Sequence, residues 1–379
     1  MSIRKRRWTT AKGEIKEAWI VDYTANGSRH IETFERKKDA DAREAQVVVD
    51  IAKGVHTASS KSLTVAQAAD DWLDYVKGEG RERSTVERYE QTVRIHIVPR
   101  IGREKLAKLT TPRINAFRDE LLKSMSRPMA KKVLVALKAT LKDAKRRGNV
   151  AQNVASDVSI TSHGRLRAKL EIGRDIPTRD EVQRIIDAAA PGHGRTLLLT
   201  AALTGMRASE LRGLRWSDVD LTRRQVQVRQ RADRYRKIGA PKSAAGTRTI
   251  PIGDMVVNTL REWKLRCPKG LENLVFPTSV GTVEYYPNMV LKYYAPAQAT
   301  AGVVTNGRPK YGMHALRHFY ASWCINQKKD GGLELPPKTV QVRLGHSSIV
   351  MTLDIYGHLF PSRDDGAELA AAERALFAT

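Results

Sequence analysis

The chain has 379 residues, of which 41% are hydrophobic, long enough for two or three domains with real cores. Lys and Arg number 66 against 41 Asp and Glu, a net charge of +25 and a pI near 10.1, a balance that suits a polyanionic partner, nucleic acid first. No run of about 18 apolar residues occurs and the basic start MSIRKRRW leads into polar sequence, which excludes a membrane span and a secretory leader. The only two cysteines, Cys267 and Cys324, lie far apart without metal-type spacing, so neither a disulfide framework nor a zinc site is expected and a cytoplasmic, reducing compartment fits.

In chain order, EAWIVDYT (17–24) and RHIETFER (29–36) read as two short strands around the turn residues Asn26 and Gly27. The helical run KKDADAREAQVVVDIAKG (37–54) follows and ends at a glycine. This gives a small sheet plus helix over 1–58, and HTASSKS (56–62) has the composition of a linker. From Leu63 to about Val154 the pattern is helical. TVAQAADDWLDYVKG places Val65, Ala68, Ala69, Trp72, Leu73 and Val76 at the spacing of one helix face, with further runs at 84–97, 111–125 and 127–148. This module, 63–160, carries a surplus of basic residues and reads as a DNA binder, with Lys142, Lys145, Arg146 and Arg147 in KDAKRR as contacts. A solvated helix end is the plain reading of that run.

The polar stretch 159–175 reads as a second linker. Thr178 then stands three residues before Glu181, a capping box opening the helix DEVQRIIDAAA. The remainder, 172–379, is mostly helical, with strands expected at 224–231 and 248–253 around a polar turn region.

Three clusters in this last part carry chemistry. In TGMRASELRGLRW (204–216) Arg207 sits on a loop-to-helix turn, the helix starting near Ser209, where a planar guanidinium can meet phosphate oxygens. In GMHALRHFYASW (312–323) His314 and Arg317 stand at i and i+3 and share a helix face. In LGHSSIVMTLDIYGHL (344–359) His346 lies ten residues before Tyr356, a tyrosine that is either core filling or a nucleophile.

Together and in this order, T-G-M-R-x-S-E-L, H-x-L-R-H and L-G-H with Tyr ten residues on, the clusters resemble the tyrosine recombinases, the family of lambda integrase and other phage and plasmid integrases. The resemblance implies a mainly α fold with small β elements (α+β) in three domains: a small β-sheet plus helix arm-binding domain, a helical core-binding (SAM-like) domain, and a mixed, mostly helical catalytic domain. It implies that Arg207 and Arg317 clamp the scissile phosphate, that His314 contacts the same phosphate and helps proton transfer, and that His346 donates a hydrogen bond to it. Tyr356 matches the nucleophile and Glu210 the acidic residue that braces the site; Glu210 also reads as an ordinary helix ion pair. The family's catalytic lysine falls on Lys242, shortly before the returning strand, with Lys237 as rival. No metal and no cofactor are expected, since two arginines and a histidine can neutralise a phosphodiester without one, and no P-loop sequence is present.

The implied activity is site-specific DNA recombination through a 3′-phosphotyrosyl intermediate, integrating or excising a phage or mobile element. The implied partners are double-stranded DNA at core and arm-type sites, a homotetramer on DNA, and an accessory DNA-bending or directionality protein, in the bacterial cytoplasm or nucleoid. Arg4, Lys5, Arg6 and Arg7 in IRKRRW are the expected arm contacts, a disordered basic tail being the alternative. The run 366–379 reads as an amphipathic helix that docks on a neighbouring protomer or packs on its own domain. Two alternatives remain at this point: a type IB topoisomerase-like nicking and resealing enzyme, and a non-catalytic DNA-binding regulator on the same scaffold.

Overall fold

The computed structural model describes residues 1–10, 13–25, 28–52, 62–161, 169–361 and 365–377. The turn at Asn26 and Gly27, most of the first expected linker and the middle of the second lie outside them. The chain divides into two compact units, Met1–Gly164 and Arg165–Thr379.

The first unit contains two separate cores. Strands Ser2–Thr9, Ile15–Ala25 and Ser28–Phe34 form an antiparallel sheet in that order. Val21 and Tyr23 of the central strand pack with Ala40 and Val47 of the helix Lys37–Ala52. Ser2–Thr9, read above as a basic contact segment, is a full edge strand, with Arg4 opposite Ile20 and Arg6 opposite Ala18. It was illegible as a strand because all but one of its side chains are exposed, so no alternating apolar face marks it.

The second core is helical. The helix Val65–Gly78 opens at a capping box, Thr64 with Gln67, and buries the six residues its spacing marked. The run expected at 84–97 is helical over Arg83–Thr92 and then widens into a π-turn, Val93–Ile97. A second π-turn, Met289–Tyr294, occurs in the other unit. Each ends two residues before a proline, Pro99 and Pro296, whose ring nitrogen has no N–H to give to the carbonyl four residues back. Helices Thr111–Ser124 and Arg127–Arg146 complete this core, the second burying Val133, Leu134, Leu137, Leu141 and Ala144 along one face.

In the second unit the helix Arg179–Ala188 carries the expected capping box at Thr178 and Glu181. The buried helix His193–Thr204 packs on Asp254–Arg266 and on His314–Ile325. The strands are shorter than expected: Gln225–Val228 pairs antiparallel with Arg248–Pro251, Val226 opposite Ile250, and Val219–Asp220 adds a third strand. Inside the polar turn region a further small hairpin joins Arg231–Ala232 to Ile238–Gly239. The last helices are Pro337–Leu344, Ile349–Tyr356 and Asp365–Phe377.

Candidate active site

The site grows from two helix ends and the glycines that terminate them. The helix His193–Thr204 stops at Gly205 and the helix Pro337–Leu344 at Gly345, both in the left-handed region, with φ of 61° and 64°. A side chain at Gly205 would also collide with the Tyr320 ring, 2.4 Å from the added carbon, so only glycine fits both the turn and the space. The last carbonyls of a helix have no partner within it and carry the negative end of the dipole. Here guanidinium groups take them. Arg317 donates through Nη1 to the Gly205 carbonyl at 2.7 Å and through Nη2 to the Leu344 carbonyl. Arg207 donates to the Gly345 carbonyl at 3.3 Å. Arg248, from the strand Arg248–Pro251, donates through Nε to the Arg343 carbonyl at 2.8 Å.

Arg207 caps the helix Ala208–Gly213, which starts one residue earlier than expected. Its N–H donates to Glu210 Oε2 at 2.9 Å and its Nη1 to Oε1 at 2.8 Å. Glu210 is only 3% exposed and is also gripped by the Arg248 fork at 3.1 and 2.9 Å. Glu210 thus makes the i,i+3 ion pair with Arg207 that the plain reading expects, and extends it to Arg248, so the carboxylate is a buried bridge between two arginines. Burial alone would push its pKa up, but the Arg248 hydrogen bonds and charge, with Arg207 beside them, hold it below the usual carboxylate range.

Arg317, on the helix His314–Ile325, is 2% exposed. Burial, with Arg207 nearby, pulls its pKa down to about 9. His314 begins the same helix, outermost of the group, its pKa lowered by its surroundings and by Arg317 and Arg207. His346 follows Gly345 and is buried. Its Nδ1 meets Thr352 Oγ1 at 2.9 Å, which fixes the ring and leaves Nε2 for another partner. Burial, reinforced by the arginines, depresses its pKa to about 4.

Tyr356 ends the helix Ile349–Tyr356 with 1% exposure. Its ring lies parallel to that of His346, centroids 6.3 Å apart. Its hydroxyl is 2.7 Å from His318 Nδ1. Burial raises the phenol pKa to about 12, against the opposing pull of Arg317 and Arg207.

The structure thus brings Arg207, Glu210, Arg317, His346 and Tyr356 together, with His314 beside His318 at 4.7 Å between rings. Lys242 and Lys237 are both exposed. Lys237 belongs to the turn of the inner hairpin, where its N–H donates to Asp233 at 2.9 Å, and Lys242 lies between that hairpin and the strand of Arg248. The expected DNA contacts belong to the first unit. Arg4 pairs with Asp22, Lys5 and Arg7 with Glu17, all on the sheet. Lys142 and Lys145 are exposed on their helix, whereas Arg146 and Arg147 both bond the buried Asp143, at 2.5 and 2.7 Å, and Arg146 covers the Tyr75 ring. Sequence reasoning missed Arg248, Thr352 and His318. Among the described residues no cluster of metal-type ligands occurs and no helix is long and apolar enough to cross a membrane.

Residues 177–363 match the phage integrase family, and residues 64–122 match the N-terminal SAM-like domain of phage integrases. The chain belongs to the phage integrase family of tyrosine recombinases. It is 27% identical over 357 residues to a tyrosine recombinase XerC-like protein of Caldanaerobacter subterraneus subsp. tengcongensis, covering 87% of this chain and 88% of that one. It is 24% identical over 366 residues to an integrase of Streptomyces ambofaciens, covering 90% of each. Among solved structures, the Tn1549 transposon integrase in complex with a circular intermediate DNA shares the fold with a TM-score of 0.61 at 19% identity, over 83% of this chain and all of that one. A lambda integrase dimer bound to a core site does so with a TM-score of 0.58 at 18% identity, over 94% and 95%.

The buried pair is testable. Removing one partner strands the other's charge, so Glu210→Ala or Arg248→Ala should each cost about 3–5 kcal/mol in urea unfolding. The joint apolar replacement Glu210→Leu with Arg248→Met should recover most of that loss but leave Arg207 unbraced, so DNA cleavage should stay impaired. Full cleavage by the double variant would refute the bracing role.

A pH dependence follows as well. His193, His318 and His346 each fall to about 4 through burial, against about 6.5 when unfolded. Between those values the unfolded chain binds protons the folded chain refuses, so stability is greatest above about pH 6.5 and declines as pH drops toward 4. A melting temperature that stays flat over this window would contradict the assignment.

Proposed function

We propose that this chain is a site-specific DNA recombinase of the integrase type, which cleaves and rejoins strands through a 3′-phosphotyrosyl intermediate. The observation that supports the reading most is the convergence of Arg207, Arg317 and His346 around the Tyr356 ring, with each arginine fixed by backbone carbonyls. None of the residues whose loss would mark a lapsed, purely DNA-binding relative is missing.

In this reading a phosphodiester enters with its non-bridging oxygens toward the Arg207 and Arg317 guanidinium groups, and His346 Nε2 and His314 donate to the same oxygens. Negative charge builds on those oxygens in the transition state, and donors held rigid beforehand stabilise it without reorganising. The Tyr356 oxygen attacks phosphorus, the P–O5′ bond breaks, and the departing 5′ oxygen takes a proton from a general acid, Lys242 in our assignment with Lys237 as rival. The phosphotyrosyl bond conserves the diester, so a 5′-hydroxyl from another strand reverses the step without ATP. The three-part division, with arm-binding over 1–58, core-binding over 63–160 and catalysis over 172–379, belongs to the same reading. So do arm contacts through Arg4, Lys5, Arg6 and Arg7, core contacts through Lys142, Lys145, Arg146 and Arg147, a homotetramer on DNA, an accessory bending or directionality protein, and a place in the bacterial cytoplasm at the nucleoid.

The test is a nicked suicide substrate drawn from DNA flanking the gene, from which the short 5′-hydroxyl fragment diffuses away. Denaturing gels should show protein covalently attached to DNA. Attachment should vanish in Tyr356→Phe and persist in Tyr311→Phe, because Tyr311 is spent on a hydrogen bond to Glu181 at 2.8 Å. Attachment that survives Tyr356→Phe would overturn the reading.

A further inference from the structure

Tyr356 is deeply buried, and most buried polar groups hold a hydrogen-bond partner. Among the described residues one side chain hydrogen-bonds its hydroxyl: His318, with Nδ1 at 2.7 Å and ring centroids 5.7 Å apart. His318 is the second histidine of H-A-L-R-H, one turn beyond His314 on the same helix face. It is not one of the phosphate contacts proposed above.

We propose that His318 is a catalytic residue, the proton acceptor that turns Tyr356 into a nucleophile; this rests on the recombinase reading. The proton on Tyr356 Oη passes to His318 Nδ1 as Oη bonds to phosphorus and the P–O5′ bond breaks, while the 5′ oxygen takes its proton from the separate general acid. In rejoining, the sequence reverses: a 5′-hydroxyl attacks, the Oη–P bond breaks, and the His318 imidazolium returns its proton to the leaving tyrosyl oxygen.

Three features of the surroundings support this. The ring is neutral at physiological pH, because burial, then His314 and Arg317, lower its pKa to about 4. A protonated phenol facing a neutral imidazole donates O–H to the Nδ1 lone pair, the geometry proton transfer needs. The Asp175 carboxylate acts in the opposite direction and favours the imidazolium, and a phosphate bound beside the ring would add to it, so substrate binding itself raises the basicity of His318. The acceptor is therefore weak in the free protein and strengthened once the anion is in place, which limits attack by an unoccupied tyrosine.

The test compares His318→Asn and His318→Ala with the unaltered protein in single-turnover cleavage of the nicked substrate, alongside DNA binding. The asparagine amide oxygen can stand near the Nδ1 position and accept the phenol hydrogen bond, but it cannot take the proton. A structural role would be restored by asparagine; proton acceptance would not. We expect both variants to bind DNA as the parent does and to form the covalent complex about 10²-fold more slowly or worse. A substrate with sulfur in place of the bridging 5′ oxygen, whose leaving group needs no proton, should rescue a variant of the general acid but neither His318 variant. If His318→Asn cleaves within a few fold of the parent, or if bridging sulfur restores His318→Ala, the proposal fails. Loss of attachment in Tyr356→Phe in the same experiment would then keep the recombinase reading intact, whereas attachment surviving there would remove both.

Discussion

Much of the second unit depends on one helix end. The carbonyls of Arg343, Leu344 and Gly345, consecutive at the terminus of Pro337–Leu344, each accept a hydrogen bond from a different arginine: Arg248, Arg317 and Arg207. These groups would otherwise be orphaned at the negative end of a dipole, and guanidinium forks satisfy them with several donors each. Arg248 and Arg317 are buried and Arg207 keeps 36% of its side chain exposed, so the mutual repulsion of these cations would be costly without such partners. Buried Glu210 removes much of what remains by bonding Arg207 and Arg248 at once. The positive centre is thus assembled before any phosphate arrives, and the backbone rather than the substrate bears the cost of holding it.

That field sets the protonation of everything nearby. Arg317 is depressed yet still charged at neutral pH, and the imidazoles of His314, His318 and His346 are all pushed toward their neutral forms. Tyr356 is pushed the other way by burial, with the arginines moderating the shift. The resting protein consequently holds a protonated nucleophile, neutral bases and uncommitted positive charge. An entering phosphodiester compensates the arginines and at the same time raises the proton affinity of the imidazoles, so ligand charge and acid–base readiness are coupled through the same few ångströms.

What the sequence disclosed follows from which forces are local. Helix faces repeat every three to four residues, so Val65 through Val76 could be read directly, as could the Thr178 and Glu181 cap. Arg207, His314, Arg317, His346 and Tyr356 stood out through the order of three short motifs. Arg248 did not, because its partner Glu210 lies 38 residues earlier in the chain and an arginine opening a strand looks like ordinary solvent-facing polarity. His318 was in plain view inside a quoted motif, but only the packing of one helix on another shows that its ring, and not that of His314, meets the tyrosine. The edge strand Ser2–Thr9 left no pattern because it buries almost nothing.

The segment Ile349–Tyr356 shows the same point most sharply. Apolar residues of a helix ordinarily face inward, yet Val350, Met351 and Leu353 are exposed while Thr352 and Tyr356 are the buried ones. The helix is turned against its own hydrophobicity. Turning it the ordinary way would withdraw the Thr352 hydroxyl from His346 and the Tyr356 hydroxyl from His318, the contacts that set the orientation of both rings. Local rules that natural sequences otherwise obey tend to be broken where a site demands it. Here the violation falls on the element that carries the nucleophile, and four residues of spacing between Thr352 and Tyr356 place both hydroxyls on the single face that the arginine-filled helix end leaves for them.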